Sequence, residues 1–265
     1  MTDIKKIQSY FRITTKAFNR KRKDNRAALW EAYKGVFRGL KGESLDPITY
    51  FINDEHKLVY VVNSKAACSA IKQAMMSSTG VDVNGADYWD VHQAGIDKGY
   101  VRKNLSEKEK KYFFFTFVRD PFSRIASLYL NKFCDQTNIS QKGFEYKTYL
   151  GGILERNDSF ERFVTKVSRI PDVLCDRHFK PQAYLINQEL EKIDFVGKFE
   201  NLNRDYERLR KDFCLKKLNV VNKSSDYSLS DIYTHTTLDL VAKRYEEDIE
   251  QFGYANEYDK IKAML

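Results

Sequence analysis

The chain has 265 residues, of which 42% are hydrophobic, 14% aromatic and 31% charged, with only 4 prolines and 12 glycines. That balance excludes a disordered or collagen-like polymer and leaves apolar surface enough for a sizeable buried core, with little room for linkers. The formal net charge is +8, and all of it lies in residues 1–45, which hold 12 Lys and Arg against 4 Asp and Glu.

The N-terminal stretch alternates charged with single apolar residues, so it lacks the continuous apolar run of a secretory signal. The longest apolar run, Phe113 to Val118, is interrupted by Thr116 and is far short of a membrane-spanning helix. A cytoplasmic protein is expected. Ile4, Ile7, Phe11 and Phe18, then Leu29, Trp30, Tyr33 and Phe37, recur at helical spacing among basic residues that include the run Arg20-Lys21-Arg22-Lys23. These predict two amphipathic helices in a basic arm, residues 1–45, ahead of a single domain, residues 46–265. Aromatic stripes of this kind ordinarily pack against a core with their lysines in solvent, and that is the expectation here. The alternative is a helix on a membrane surface or a contact with an anionic polymer.

His56 to Val62 reads as a buried strand ending at Asn63-Ser64-Lys65. Four small residues, Ala66, Ala67, Cys68 and Ser69, follow, and Ala70, Ile71, Ala74 and Met75 then take the spacing of a helix face. A strand, small-residue loop and helix in that order aim backbone N–H groups and the positive end of a helix dipole at one place, a site for a phosphate. Lys65 adds a full charge. A nucleotide-hydrolysing P-loop would place glycines where the backbone wraps the phosphate, and this loop has none.

Tyr112 to Val118 reads as a central strand with Arg119 at its carboxyl end, and Asp120-Pro121 begins a helix with Ile125, Leu128 and Tyr129 on its apolar face. Ligands of open α/β sheets sit beyond the carboxyl ends of strands, so Lys65 and Arg119 are expected to meet one anionic ligand. Near the end of the chain Leu238, Val241, Tyr245, Ile249 and Phe252 share the face of a predicted final helix. The four cysteines, 66, 41 and 39 residues apart, form neither a disulfide framework nor a metal pair, and the four histidines are equally scattered. Reduced thiols and no metal are expected.

Four blocks, Val61 to Ser69, Phe117 to Tyr129, Asp176 to Gln182 and Asp194 to Leu202, resemble the carbohydrate sulfotransferases that use 3′-phosphoadenosine 5′-phosphosulfate, PAPS, in the sulfotransferase family 2 group with its chondroitin-type members. The likeness runs over roughly residues 55 to 255, and Val221 to Ser224 and Tyr245 to Tyr254 resemble the family's C-terminal end. The resemblance implies a three-layer, P-loop-like α/β domain with a parallel sheet flanked by helices. It implies PAPS as co-substrate, a carbohydrate acceptor in polysaccharide biosynthesis and no specific nucleic-acid partner. Lys65 then matches the catalytic lysine, and the amides of Ala66, Ala67, Cys68 and Ser69 surround the 5′-phosphate. Arg119 and Ser127 match ligands of the 3′-phosphate, and Lys223 and Ser224 match a loop that closes over the nucleotide. Two departures stand out: Ser64 occupies the place where relatives usually have proline, and no membrane anchor precedes the domain, which suggests a soluble, bacterial or other cytoplasmic member.

Sulfuryl transfer also needs a base for the acceptor hydroxyl, for which His92 and His178 are the candidates and His92 is favoured. Cys68 and Arg124 are expected to be structural, and the aromatic-rich stretch from Phe133 to Phe163 is a candidate acceptor lining. The competing readings are a P-loop phosphotransferase, which would need a glycine-rich loop and a magnesium carboxylate, and a nucleic-acid-binding protein with a basic arm.

Overall fold

The computed structural model describes residues 8, 26–81, 83, 88–135, 143–219 and 227–265. The first predicted amphipathic stripe, Ile4 to Phe18, and the two loop residues Lys223 and Ser224 lie outside the described residues. In chain order the principal elements are α1 (Arg26–Leu40), β1 (Tyr50–Asn53), β2 (Leu58–Val61), α2 (Cys68–Ser78), α3 (Tyr88–Asp97), β3 (Val101–Arg102), β4 (Phe113–Val118), α4 (Pro121–Tyr129), α5 (Phe160–Val167), α6 (Gln182–Ile186), β5 (Phe195–Lys198), α7 (Leu202–Asp212), α8 (His235–Arg244), α9 (Glu246–Phe252) and α10 (Ala255–Lys262). They form two compact units, residues 47–120 with 182–226, and residues 1–46 with 121–181 and 227–265.

The first unit carries a five-stranded sheet in the order β3-β1-β2-β4-β5. The α/β class is as expected, but the sheet is mixed: β2, β4 and β5 run parallel, while β1 is antiparallel to both its neighbours. Chain length between strands explains the difference. Only Asp54 to Lys57 separates β1 from β2, a turn closed by Lys57 at φ 53°, and so short a link can join only antiparallel strands. Between β2 and β4 lie α2 and α3, long enough for the parallel crossover.

Alternate residues of each strand go to opposite faces. Phe51, Tyr60, Phe115 and Phe117 pack with Ile71, Met75, Val91, Tyr206 and Leu209 of the helices α2, α3 and α7. Ile52, Val59, Val61 and Phe114 form a smaller cluster on the other face. Gly197 pairs with Phe117 across the parallel ladder, and a Cβ there would stand 2.4 Å from the Phe117 ring, so only glycine leaves room for that ring.

The second unit has its core on Phe122, Ile125, Leu128, Phe133, Phe163, Phe179, Leu238, Val241 and Tyr245. The expected final helix is two helices that break at Tyr245, whose ring is nonetheless buried with its hydroxyl donating to Phe179 O at 2.8 Å. The aromatics between Phe133 and Phe163 are spent on this core, as Phe133 lies 4.7 Å from Phe163 and 6.0 Å from Tyr146, ring centre to ring centre. They are packing residues, which corrects their reading as an acceptor lining.

The helix α1 also departs from expectation. Its buried face is Gly35, Val36 and Gly39, where a Cβ on Gly39 would stand 2.8 Å from Leu174. The aromatic stripe expected to face the core is exposed instead: Trp30 is 57%, Tyr33 56% and Phe37 51% accessible. Close helix approach through two glycines replaces the stripe as the packing surface. Among the described residues no helix is long and apolar enough to cross a membrane.

Candidate functional site

In the first unit, the chain leaves β2 through Val62 and Asn63 and enters α2 at Cys68. Two residues of this loop have left-handed backbones, Lys65 at φ 65° and Ala67 at φ 63°, and Ala66 between them does not. For residues with a Cβ that conformation costs of order 1–3 kcal/mol each, so the surroundings must impose it. Backbone of alternating hand turns successive N–H groups toward one concavity, and the first N–H groups of α2 have no acceptor within their own helix. Lys65, Ala66, Ala67, Cys68 and Ser69 therefore make a nest of backbone N–H groups beside one lysine, an arrangement that can receive an anion. Ala66, Cys68 and Ser69 are buried and Lys65 is half-buried.

Hydrogen bonds from three further sequence blocks hold this loop against Arg119. Asn63 Nδ2 donates to Phe117 O at 2.9 Å and to Gln182 Oε1 at 2.8 Å. Gln182 in turn grips both backbone groups of Arg119, accepting from its N–H at 2.9 Å and donating to its carbonyl at 2.8 Å. Asp120 N–H donates to Glu200 Oε1 at 2.8 Å. The Arg119 guanidinium lies 4.3 Å over the Phe199 ring, and its Nη1 donates to Lys65 O at 3.3 Å. The Arg119 guanidinium thus reaches the backbone of the Lys65 loop. Arg119 is 93% buried, and its Nε finds no acceptor among the described residues, an orphan donor. An anion is the natural partner.

Sequence reasoning gave no role to Asn63, Gln182, Phe199 or Glu200. Asn63 and Gln182 are almost wholly buried, at 1% and 0% accessible. All four lie inside the blocks that carry the resemblance, and that was their signal.

His92, on α3 of the same unit, sits beside a lysine. Lys72, about one turn into α2 and 5% accessible, places its Nζ 3.2 Å from His92 Nδ1 and 5.7 Å over the Phe51 ring. With the ammonium donating to Nδ1, a neutral imidazole carries its proton on Nε2. Taking up a further proton would set two positive charges side by side.

The second unit holds His178 and Ser127. Ser127 lies half-buried on α4. His178 Nδ1 is 2.7 Å from Asp176 Oδ1, which also accepts the His178 backbone N–H at 2.9 Å and the Tyr146 hydroxyl at 3.2 Å. Burial pushes the Asp176 carboxyl up, but the His178 ring and backbone and the Arg177 guanidinium outweigh it and hold the carboxyl far below the usual carboxylate range. The carboxylate fixes the Nδ1–H tautomer and turns Nε2 into the acceptor.

The neighbours of this pair are structural. Arg124, 2% accessible, donates to Lys180 O and Arg177 O, each at 2.9 Å. Arg177 clasps the Asp46 carboxylate, and Lys180, whose ammonium burial pushes downward in pKa, donates to Ser44 Oγ at 2.7 Å. Cys175 is buried and its thiol is pushed up to about 11, mainly by that burial. The cysteines Cys68, Cys134, Cys175 and Cys214 are all unpaired thiols. Among the described residues no group of three or more His, Cys, Asp or Glu is placed to hold a metal ion.

A family model described as "Sulfotransferase family" matches residues 49–255, most of the chain and all of the elements that build the nest. The chain belongs to the sulfotransferase family. Among curated relatives, the chain is 28% identical over 170 residues to human carbohydrate sulfotransferase 8, covering 58% of this chain and 40% of that protein. It is 31% identical over 178 residues to rat carbohydrate sulfotransferase 11, covering 58% and 49%. Human carbohydrate sulfotransferase 9 is 25% identical over 184 residues, covering 58% and 38%. The chain spans less than half the length of these relatives. No solved structure gives a significant match.

Proposed function

We propose that this sulfotransferase moves a sulfuryl group from PAPS to a hydroxyl of a carbohydrate. The observation that carries the reading is the nest itself: a loop of alternating hand with Lys65 in it, pinned through Asn63 and Gln182 to a buried Arg119 with an orphan Nε. A donor with a 5′-phosphosulfate and a 3′-phosphate brings anionic groups for which these cations and N–H groups are suited. The names of the relatives supply the carbohydrate acceptor.

PAPS supplies an activated sulfur whose bond to the phosphate oxygen breaks as a bond to the acceptor oxygen forms. Within this chain, the amides of Ala66, Ala67, Cys68 and Ser69 hold the 5′-phosphate, and Arg119 holds a phosphate group. Ser127, Lys223 and Ser224 are assigned to the nucleotide on the resemblance. The Lys65 ammonium offsets the negative charge that appears on the leaving phosphate oxygen only as its bond breaks, so its effect falls on the transition state more than on binding.

The acceptor proton goes to a histidine, and we assign it to His178 Nε2 instead of His92. The Asp176 contact leaves His178 Nε2 with a lone pair and stabilises the imidazolium that forms, as the carboxylate of a catalytic triad does. The Lys72 contact does neither for His92.

Replacement of Lys65 tests the proposal. With PAPS and a mixed panel of hydroxylated sugars, Lys65→Ala should lose at least about a thousandfold in turnover while nucleotide affinity stays within about tenfold. Wild-type turnover in Lys65→Ala would remove its role.

A further inference from the structure

We propose that the exposed face of α1 docks the protein on an anionic lipid surface. The catalytic reading makes no use of this helix. One side, Gly35, Val36 and Gly39, is buried within its own unit. The other presents Trp30, Tyr33, Phe37 and Leu40, the last 61% accessible, at the spacing of a single helical stripe. A soluble surface has no reason to gather three large aromatics and a leucine in one line, and such patches mark contact surfaces.

The identity of these residues points to a lipid interface. Trp and Tyr have apolar bodies with a polar edge and settle at the headgroup level. Trp30 stacks on Tyr33 with ring centres 6.0 Å apart, giving a flat apolar plate. Lysines border the plate: the Lys34 ammonium lies 5.4 Å from the Trp30 ring centre and the Lys41 ammonium 4.6 Å from that of Phe37. Projected at 100° per residue, Lys34 and Arg38 fall between the aromatic stripe and the buried glycines. Arg38 is paired with Glu43 at 3.4 Å, so Lys34, with Lys41 just past the helix end, supplies the charge for headgroup phosphates while the lysine stems cover apolar surface.

Charge complementarity chooses the occupant. The whole net charge of +8 belongs to residues 1–45, while the rest of the chain is neutral on balance. A neutral sugar would use the aromatic plate but not the charge, and a nucleic acid would use the charge but not a continuous apolar stripe. A membrane rich in anionic lipid uses both. At 15 residues α1 is about 22 Å long, a length for lying in the interface and not for crossing it.

The test is co-sedimentation of the full chain with vesicles of phosphatidylcholine, alone or mixed with phosphatidylserine. The wild-type protein should pellet with the mixed vesicles, far less with the neutral ones, and less as salt is raised. The combined change Trp30→Ala, Tyr33→Ala and Phe37→Ala should weaken that partition at least about tenfold. Its thermal unfolding should match the wild type, because the three side chains are exposed. Equal binding to both vesicles, or none, overturns the proposal. So does undiminished binding by the triple variant, since the basic run alone would then be the attachment. A wild-type dimer that the triple variant dissociates, or binding to soluble heparin in place of vesicles, would assign the face to a second copy or to a polymer and overturn it equally.

Discussion

His92 and His178 occupy opposite chemical settings. Next to His92 Nδ1 stands the ammonium of the buried Lys72, which lies over the ring of Phe51. Next to His178 Nδ1 stands the carboxylate of Asp176, itself anchored by Tyr146 and a backbone N–H. The same side chain is set up as a hydrogen-bond donor in one place and a proton acceptor in the other. What decides whether a histidine serves as a base is the charge of the group behind it, and that is a property of the fold which chain position alone does not reveal.

The comparison breaks most directly on the two alanine variants. His178→Ala should lower kcat by about a hundredfold to ten thousandfold, whereas His92→Ala should change it by less than about tenfold. The reverse order would return the proton to His92.

Asp176→Asn sharpens the account next. It should keep nucleotide affinity and lower kcat by about tenfold to a hundredfold, since an amide can donate to Nδ1 and favour the wrong tautomer. It should also alter acid stability in a defined direction. A carboxyl held below its unfolded value stabilises the fold above about pH 4, and that contribution fades as pH falls further. Urea midpoints of the wild type should therefore drop between about pH 6 and pH 3 more than those of Asp176→Asn. Lys72→Met, which keeps the packing stem and removes the charge, should have the smallest effect and leave kcat within about tenfold. A larger loss would show that the pair takes part in the chemistry.

Much of the site was legible in the chain because local rules govern it. A β-branched run, four small residues and an apolar helix face located the Lys65 loop, and an apolar strand ending in Arg119-Asp120-Pro121 located its partner. The left-handed turns at Lys65 and Ala67 were not legible, since such turns are ordinarily marked by glycine and here are imposed on residues with a Cβ. Gln182 was illegible for a different reason. It lies 63 residues from the Arg119 backbone it grips, and no local pattern reports a bond across that distance. The exposed stripe on α1 inverted the expectation because periodicity gives the apolar face of a helix, but Gly35 and Gly39 allow a closer approach than aromatics do.

The central claim is that the Lys65 loop and Arg119 form a site for a nucleotide bearing two separate phosphate groups. Calorimetric titration of the full chain with 3′-phosphoadenosine 5′-phosphate, without metal and beside ATP with magnesium, tests it most directly. The account predicts micromolar binding of the former and at least about tenfold weaker binding in Arg119→Ala. No binding, a preference for magnesium-ATP, or unchanged affinity in Arg119→Ala would contradict it.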